Sequence, residues 1–281
     1  MSTTKEIRHR IKSATNTKQI IKAMELVSVI KMQKAVSANL ASRPYTITAN
    51  KIIKGICGQT STVNDEYFKA GKKNHHLIIL ITSDRGLCGN LNTKVIKKLL
   101  DDFKIENTNV IAIGKKGRDL ALQLGVNIIA EFFGITDSPN FKDKNPILKI
   151  TEKEFKTGEY ETVNIIYPHF VSTLTQDATT LQLLPLTNTE ANIANDITIY
   201  EPGKIEILNK LIPKVLETIL WQCLLETAAS EHSARMITMK NANENAEELI
   251  DDLTLSFNQS RQANITRELA EISAGKMTLE E

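Results

Sequence analysis

The chain has 281 residues and a formal net charge of only +2, enough length for one large core or two modest ones. So small a net charge does not by itself imply a polyanionic partner. Cys57, Cys88 and Cys223 are odd in number and lack CxxC spacing, which argues against a disulfide framework or a zinc site and for a reducing compartment.

The first element in chain order is a long helix. No glycine occurs before Gly55, and Pro44 is the only proline there. Apolar or small residues recur at Ile7, Ile11, Ala14, Ile21, Met24, Val27, Ala35 and Ala38, a three-and-four spacing that marks one stripe of a helix. Pro44 predicts a kink. The segment is also basic, with Lys5, Arg8, Arg10, Lys12, Lys18, Lys22, Lys31 and Lys34 against Glu6 and Glu25. Such a start imitates an organelle transit peptide, but the pattern runs on well past the length of one, so it reads as mature structure. Nucleic acid is a weaker reading of the same charge, because no aromatics are interleaved with it.

The period then changes. Leu77–Thr82 is a short apolar run of the buried-strand kind, followed by turn residues and a helix over Leu91–Phe103. Strands follow at Val110–Ile113, Asn127–Ala130, Val163–Tyr167 and Thr180–Leu184, with helices at Arg118–Leu124 and Ile147–Lys156. This alternation predicts a mainly parallel, Rossmann-like sheet covered by helices, and Asn188–Pro202 reads as a connecting loop.

The far end mirrors the start. Between Gly203 and Gly275 there is no glycine, and Pro213 is the only proline. Proline suits a first helical turn, which predicts a short helix before Pro213 and a main helix from there to about Ala274. Some 60 residues at about 1.5 Å each give roughly 90 Å, and a helix of that length needs a partner along it. Ala228, Ala229, Ser233, Ala234, Ala242 and Ala246, then Leu249, Leu253 and Phe257, are spaced for the seam. Acidic Glu231, Glu244, Glu247, Glu248 and Asp251 suit pairing with the basic first helix. The expected fold class is therefore α/β plus a long antiparallel two-helix coiled coil formed by the N- and C-terminal helices. Its parts are an N-terminal helix over 1–56, a central α/β domain over 75–190 and a C-terminal helix over 205–281. No apolar run approaches the roughly 20 residues of a membrane span.

Little in the chain suggests catalysis. Ser83–Asn90 and Gly114-Lys-Lys-Gly117 follow strands, but neither is GxGxxG nor GxxxxGK[ST]. Tight strand-to-helix turns explain Gly114 and Gly117 better than phosphate binding does. Cys88 has no histidine tied to it by a motif. His75 and His76 adjoin and point to opposite faces, while His169 and His232 lack companions at metal-ligand spacing. No cofactor and no metal are expected.

Three blocks carry a specific resemblance. They are Glu6-Ile-Arg-His-Arg-Ile11 with Lys22-Ala-Met-Glu-Leu-Val-Ser28 and Lys31; Thr82-Ser-Asp-Arg-Gly-Leu-Cys-Gly-Asn-Leu-Asn92; and Ser230-Glu-His-Ser-Ala-Arg-Met236 with Arg261-Gln-Ala-Asn-Ile-Thr-Arg-Glu268. In this order they resemble the γ subunits of bacterial F-type ATP synthases over essentially the whole chain. The resemblance implies a non-catalytic central-stalk rotor that couples proton flow to ATP synthesis or hydrolysis. It implies partners in the α and β subunits of the ring, the ε subunit and the membrane c-ring, with no nucleic acid and no span of its own. It places the chain on the cytoplasmic face of a bacterial inner membrane as a peripheral subunit.

By the same resemblance Arg235, Arg261 and Gln262 meet a β-subunit loop, and Lys31, Arg85 and Cys88 lie near an acidic β segment. Met24, Thr266 and Glu268 hold the two helices together, with Thr266 and Glu268 near Met24. The cysteine-bearing insertion of chloroplast members is absent, so thiol switching is not expected. The matched block begins with no presequence before it, which favours a bacterial chain. A static coiled-coil scaffold and a nucleotide-binding enzyme with helical extensions are the competing readings.

Overall fold

A computed structural model describes residues 4–58, 66–72, 74–186 and 203–279; the expected loop at Asn188–Pro202 falls outside them. The elements are α1 (Thr4–Gly58), β1 (His76–Ile81), α2 (Leu91–Asp102), β2 (Thr108–Ile113), α3 (Lys115–Gln123), β3 (Asn127–Phe132), α4 (Lys144–Lys156), β4 (Thr162–Phe170), β5 (Gln176–Leu184) and α5 (Lys204–Leu279). The strand order is β3-β2-β1-β4-β5. β1 to β4 pair in parallel, and β5 closes the far edge antiparallel to β4.

β1 lies at the centre, and its alternating side chains feed two cores. Leu77, Ile79 and Ile81 point into a layer with Ile111, Ile147, Phe155, Ile165 and the stretch of α5 from Leu208 to Leu224. Ile78 and Leu80 point the other way, against Val95, Ile96 and Leu99 of α2 and Ala121 of α3. A strand buried on both faces reads as an unbroken apolar run rather than an alternating one, as Leu77–Ile81 does.

Pro44 and Pro213 both sit inside the long helices. Pro213 does not divide a short helix from a long one, contrary to the sequence expectation. A proline leaves the carbonyl four residues back without its donor. For Pro44 that residue is Leu40 and for Pro213 it is Asn209, and both residues are exposed, a setting in which solvent can replace the missing donor.

The chain divides into two compact units, one of residues 28–235 and the other of residues 1–27 with 236–281. In the second, α1 and α5 run antiparallel, with Lys18 Nζ 3.0 Å from Glu247 Oε1. The covered positions of α1 there include Ile7, Ile11, Ala14, Lys18, Ile21 and Glu25, with Thr15 and Met24 half-buried beside them. In the larger unit the covered series continues as Ser28, Met32, Ala35, Asn39, Ser42, Thr46 and Ala49. Steps of three and four in strict alternation are the 3.5-residue repeat of a left-handed coiled coil. On α5 the seam passes through Met239, Ala242, Ala246, Ile250, Leu253 and Phe257. Val27, Ala38 and Leu249, expected in the stripe, are exposed.

Candidate functional site

The loop between β1 and α2 is built by short polar contacts. Ser83 N–H donates to Asn92 Oδ1 at 3.0 Å, Asn92 Nδ2 returns a bond to Ser83 Oγ at 2.7 Å, and Ser83 Oγ donates to the Arg85 carbonyl at 2.7 Å. Asp84 gathers three loops at the carboxyl ends of the parallel strands. It accepts from Lys115 N–H at 3.2 Å, Gly134 N–H at 2.9 Å and Thr136 Oγ1 at 3.2 Å. Gly114 and Gly117 make room for Thr82 beneath. A Cβ at Gly114, whose φ is +96°, would lie 2.1 Å from the Thr82 carbonyl oxygen, and one at Gly117 2.4 Å from Thr82 Oγ1. Their glycine therefore serves close backbone approach, and Thr82 Oγ1 accepts the Gly117 N–H at 2.8 Å.

In open α/β sheets a ligand enters the crevice beyond the carboxyl ends, where the strand order reverses. Here that ground lies between β1 and β4, and α5 occupies it. Ser230 Oγ donates to the Pro168 carbonyl of β4 at 2.9 Å, and Ala234 packs on Cys88 and Leu91. Among the described residues no three or more His, Cys, Asp or Glu side chains gather as metal ligands.

What fills the crevice instead is a charged junction. Arg235 on α5 donates from Nη2 to Glu231 Oε1 at 2.6 Å and, from Nε and Nη2, to the Gly86 carbonyl at 3.4 and 3.3 Å. His232 Nε2 lies 2.9 Å from the Asp137 carbonyl oxygen, and the Asp137 carboxylate takes Lys31 of α1 at 2.5 Å. Glu231 is fully buried. Its Oε2 has no partner among the described residues; Thr136 stands beside it but commits its single proton to Asp84. Burial pushes the Glu231 carboxyl above its ordinary value, with Arg235 pulling back. Burial also pushes Asp137 up, but the hydrogen bond and charge of Lys31 override it and leave the group below the usual range. His232 is held down and the Cys88 thiol held up, in both cases chiefly by burial.

A second polar cluster braces α1 and α5 against β4. Glu226 accepts from Gln222 Nε2 at 3.1 Å and lies 2.5 Å from His169 Nδ1. Arg43 donates to the Phe170 carbonyl at 3.0 Å, and Gln222 bonds the buried Asn39 at 2.6 Å. Beside it Arg43, Ile47, Tyr167, His169 and Leu181 line an open groove of about 350 Å³.

Of the residues singled out in the sequence, Lys31, Arg85, Cys88 and Arg235 come together at the charged junction. Arg85 is exposed, whereas Cys88 and Arg235 are buried, so the guanidinium of Arg235 is committed inside the chain. Arg261 and Gln262 lie exposed in the smaller unit, where Arg261 shares a groove with Thr4, Lys5, Arg8 and Glu268.

The pairing of Thr266 and Glu268 with Met24 is corrected. The Lys18–Glu247 contact sets an antiparallel register that puts Met24 opposite about residue 241, roughly 40 Å of helix from Glu268 at about 1.5 Å per residue. Glu268 instead faces the start of α1, while Met24 is half-buried on its own stretch. Sequence reasoning missed Asp84, Thr136, Asp137 and the roles of Glu231 and His232. Glu231 carried a usable signal, four residues before Arg235 on one helix. Asp137 carried none, standing 106 positions from Lys31.

The ATP synthase family model matches residues 3–279. The chain is 36% identical over 284 residues to the ATP synthase gamma chain of Pelotomaculum thermopropionicum, and 40% identical over 290 residues to that of Roseiflexus castenholzii, in each case over 100% of both chains. Among solved structures it is similar to a chain of the central stalk and c-ring of Tetrahymena thermophila mitochondrial ATP synthase, at TM-score 0.61 and 24% identity over 79% of this chain and 99% of that one. It is also similar to a chain of the Euglena gracilis mitochondrial ATP synthase, at TM-score 0.67 and 19% identity over 98% and 93%. These two likenesses concern the fold.

Proposed function

The chain belongs to the ATP synthase family as a relative of its gamma chains, and from that premise we propose that it is the central-stalk rotor, a non-catalytic subunit that couples ion flow to ATP synthesis or hydrolysis elsewhere in the complex. The observation that carries the reading is the helix pair of the smaller unit, held on a narrow seam with both outer faces exposed. Such a pair offers a long surface for partners. Those partners are the α and β subunits of the ring, with the ε subunit and the c-ring meeting the α/β unit. Among the described residues no helix is long and apolar enough to cross a membrane, which accords with a peripheral place on the cytoplasmic face of a bacterial inner membrane.

Coupling requires that the rotor contact different β conformations differently, because a contact equal in all of them shifts no equilibrium. Arg261 and Gln262 are placed for such contacts, being exposed near the end of the pair. A guanidinium suits bidentate recognition of carboxylates. Arg85 and Lys31 supply positive charge at the junction, where Lys31 already holds Asp137, so Arg85 is the freer of the two to meet an acidic partner. Met24 supports its own stretch of the pair, and Glu268 lies beside the start of α1, with Thr266 exposed two positions before it.

The test is to purify the tagged chain from its host with its membranes. Co-purification of an ATPase ring that pumps ions on ATP addition is the expected result, and an Arg261→Ala/Gln262→Ala variant should assemble yet pump less per ATP hydrolysed. Recovery of the chain without an ATPase would overturn the reading. Assembly with coupling untouched in that variant would remove Arg261 and Gln262 from it.

A further inference from the structure

The Glu231–Arg235 pair has an arrangement that core packing does not explain. A buried ion pair is weak support for stability, since desolvating two charges offsets most of their attraction. This one is left incomplete as well, because among the described residues Glu231 Oε2 has no donor of its own. What the pair does is geometric. Glu231 Oε1 holds Arg235 Nη2 at 2.6 Å, and the guanidinium so held places Nε and Nη2 on the carbonyl of Gly86.

Gly86 immediately precedes Leu87, a non-glycine residue with φ of +65° and a side chain 57% exposed. A left-handed leucine persists only where its surroundings over-determine it. The other anchors of the loop, Ser83 and Asn92, act on Arg85 and Cys88, whereas Arg235 holds the Gly86 carbonyl. The outer face of the loop then presents a cation, Arg85, beside an apolar side chain, Leu87, with Cys88 shut beneath at 2% exposure.

We propose that Glu231 is a positioning residue: through Arg235 it latches the Gly86 carbonyl and sets the conformation in which Arg85 and Leu87 are offered to an acidic-and-apolar segment of a ring subunit. The destination rests on the rotor reading, whereas the latch does not. Glu231 itself touches no partner. Its action is to stop the guanidinium from turning away, toward solvent or toward the Asp137 carboxylate across the junction.

Cys88 is a built-in reporter, because opening the loop uncovers its thiol while Cys223 stays in the sheet-facing core. In the full chain carrying Cys57→Ser, maleimide labelling of each remaining cysteine is followed under native conditions. Glu231→Ala and Arg235→Ala should each speed Cys88 labelling about tenfold, as expected when one charge-assisted hold on a locally opening segment is lost. The double variant should add nothing further, since both act on one latch. Glu231→Gln keeps an acceptor at Oε1 and should retain most of the protection. Unchanged Cys88 labelling in Glu231→Ala, or additive effects in the double variant, overturns the latch. Should Glu231→Ala uncover Cys223 too, the cycle is run with Glu231→Gln and Arg235→Lys, where additivity overturns it equally. In the assembled ATPase, Glu231→Ala should lower ions pumped per ATP. Released Cys88 with unchanged coupling would overturn the assignment of the loop to the ring and leave the latch standing.

Discussion

One helix lives under two regimes. From Val215 to Arg235, α5 is buried on nearly every side, among sheet residues such as Leu77 and Ile165, and it carries Thr227, Ser230, Glu231 and Ser233 inside with it. From Lys240 to Ser273 the same helix is covered along Ala242, Ala246, Ile250, Leu253 and Phe257, with Asn243 and Ser260 half-buried beside them, and from Arg261 to Ser273 it is exposed. A helix inside a core is held by area removed from water. A helix in a two-membered pair is held by a stripe about one side chain wide, so the first stretch should be costly to alter and the second cheap, unless the seam itself is touched.

Substitutions along α5 can break that contrast, beginning where the effect is largest. Leu220→Ala removes a fully buried side chain and should cost about 2–5 kcal/mol, read as a fall in denaturation midpoint of the larger unit. Ile250→Ala, in the seam, should cost about 1–2 kcal/mol, while Leu249→Ala beside it, 52% exposed, should stay within about 0.5 kcal/mol. Equal losses at the two neighbours would show that the seam runs elsewhere. Glu247→Ala breaks the exposed pair with Lys18 and should cost no more than about 0.5 kcal/mol, less in high salt.

Acid sharpens the comparison from the other side. Asp137 has a folded-state pKa below its unfolded one, so its contribution is complete above the ordinary carboxylate value and is lost as the pH falls through the lowered one. Glu231 is raised instead; it opposes folding at neutral pH and ceases to do so as acid protonates it. A Lys31→Met variant should flatten the acid limb of the stability profile in the larger unit, and an unaltered limb would show that the Lys31–Asp137 pair contributes nothing there.

Much of the fold was legible because local chemistry and tertiary role agreed. The run Leu77–Ile81 is a strand that could be nothing but buried, and the glycine-free ends are helices by exclusion. The seam was harder. An ideal helix repeats every 3.6 residues and a coiled pair every 3.5, so a stripe traced by apolar residues slips from Ser28 and Asn39, which the structure buries, to Val27 and Ala38, which it exposes. Polar side chains in the seam hid its course, since their burial depends on partners on other elements, as Asn39 depends on Gln222. The same limit governs the junction. Arg235 and Cys88 could be picked out by resemblance, but Asp84 and Asp137 act through residues far off in the chain, and no spacing announces them.

The central sheet is made early and roofed late. Leu77, Ile79 and Ile81 lie near the first third of the chain, and the side chains that cover them from α5 run from Leu208 to Leu224. A chain emerging from the ribosome in order therefore completes β1 to β5 with one apolar face covered only in part, by α4, and the rest stays bare until the last helix arrives. Such a face is the sticky surface of a folding intermediate. Truncation anywhere before Leu224 should yield aggregates rather than a smaller folded domain, and slow synthesis across 185–225 should raise the demand on chaperones.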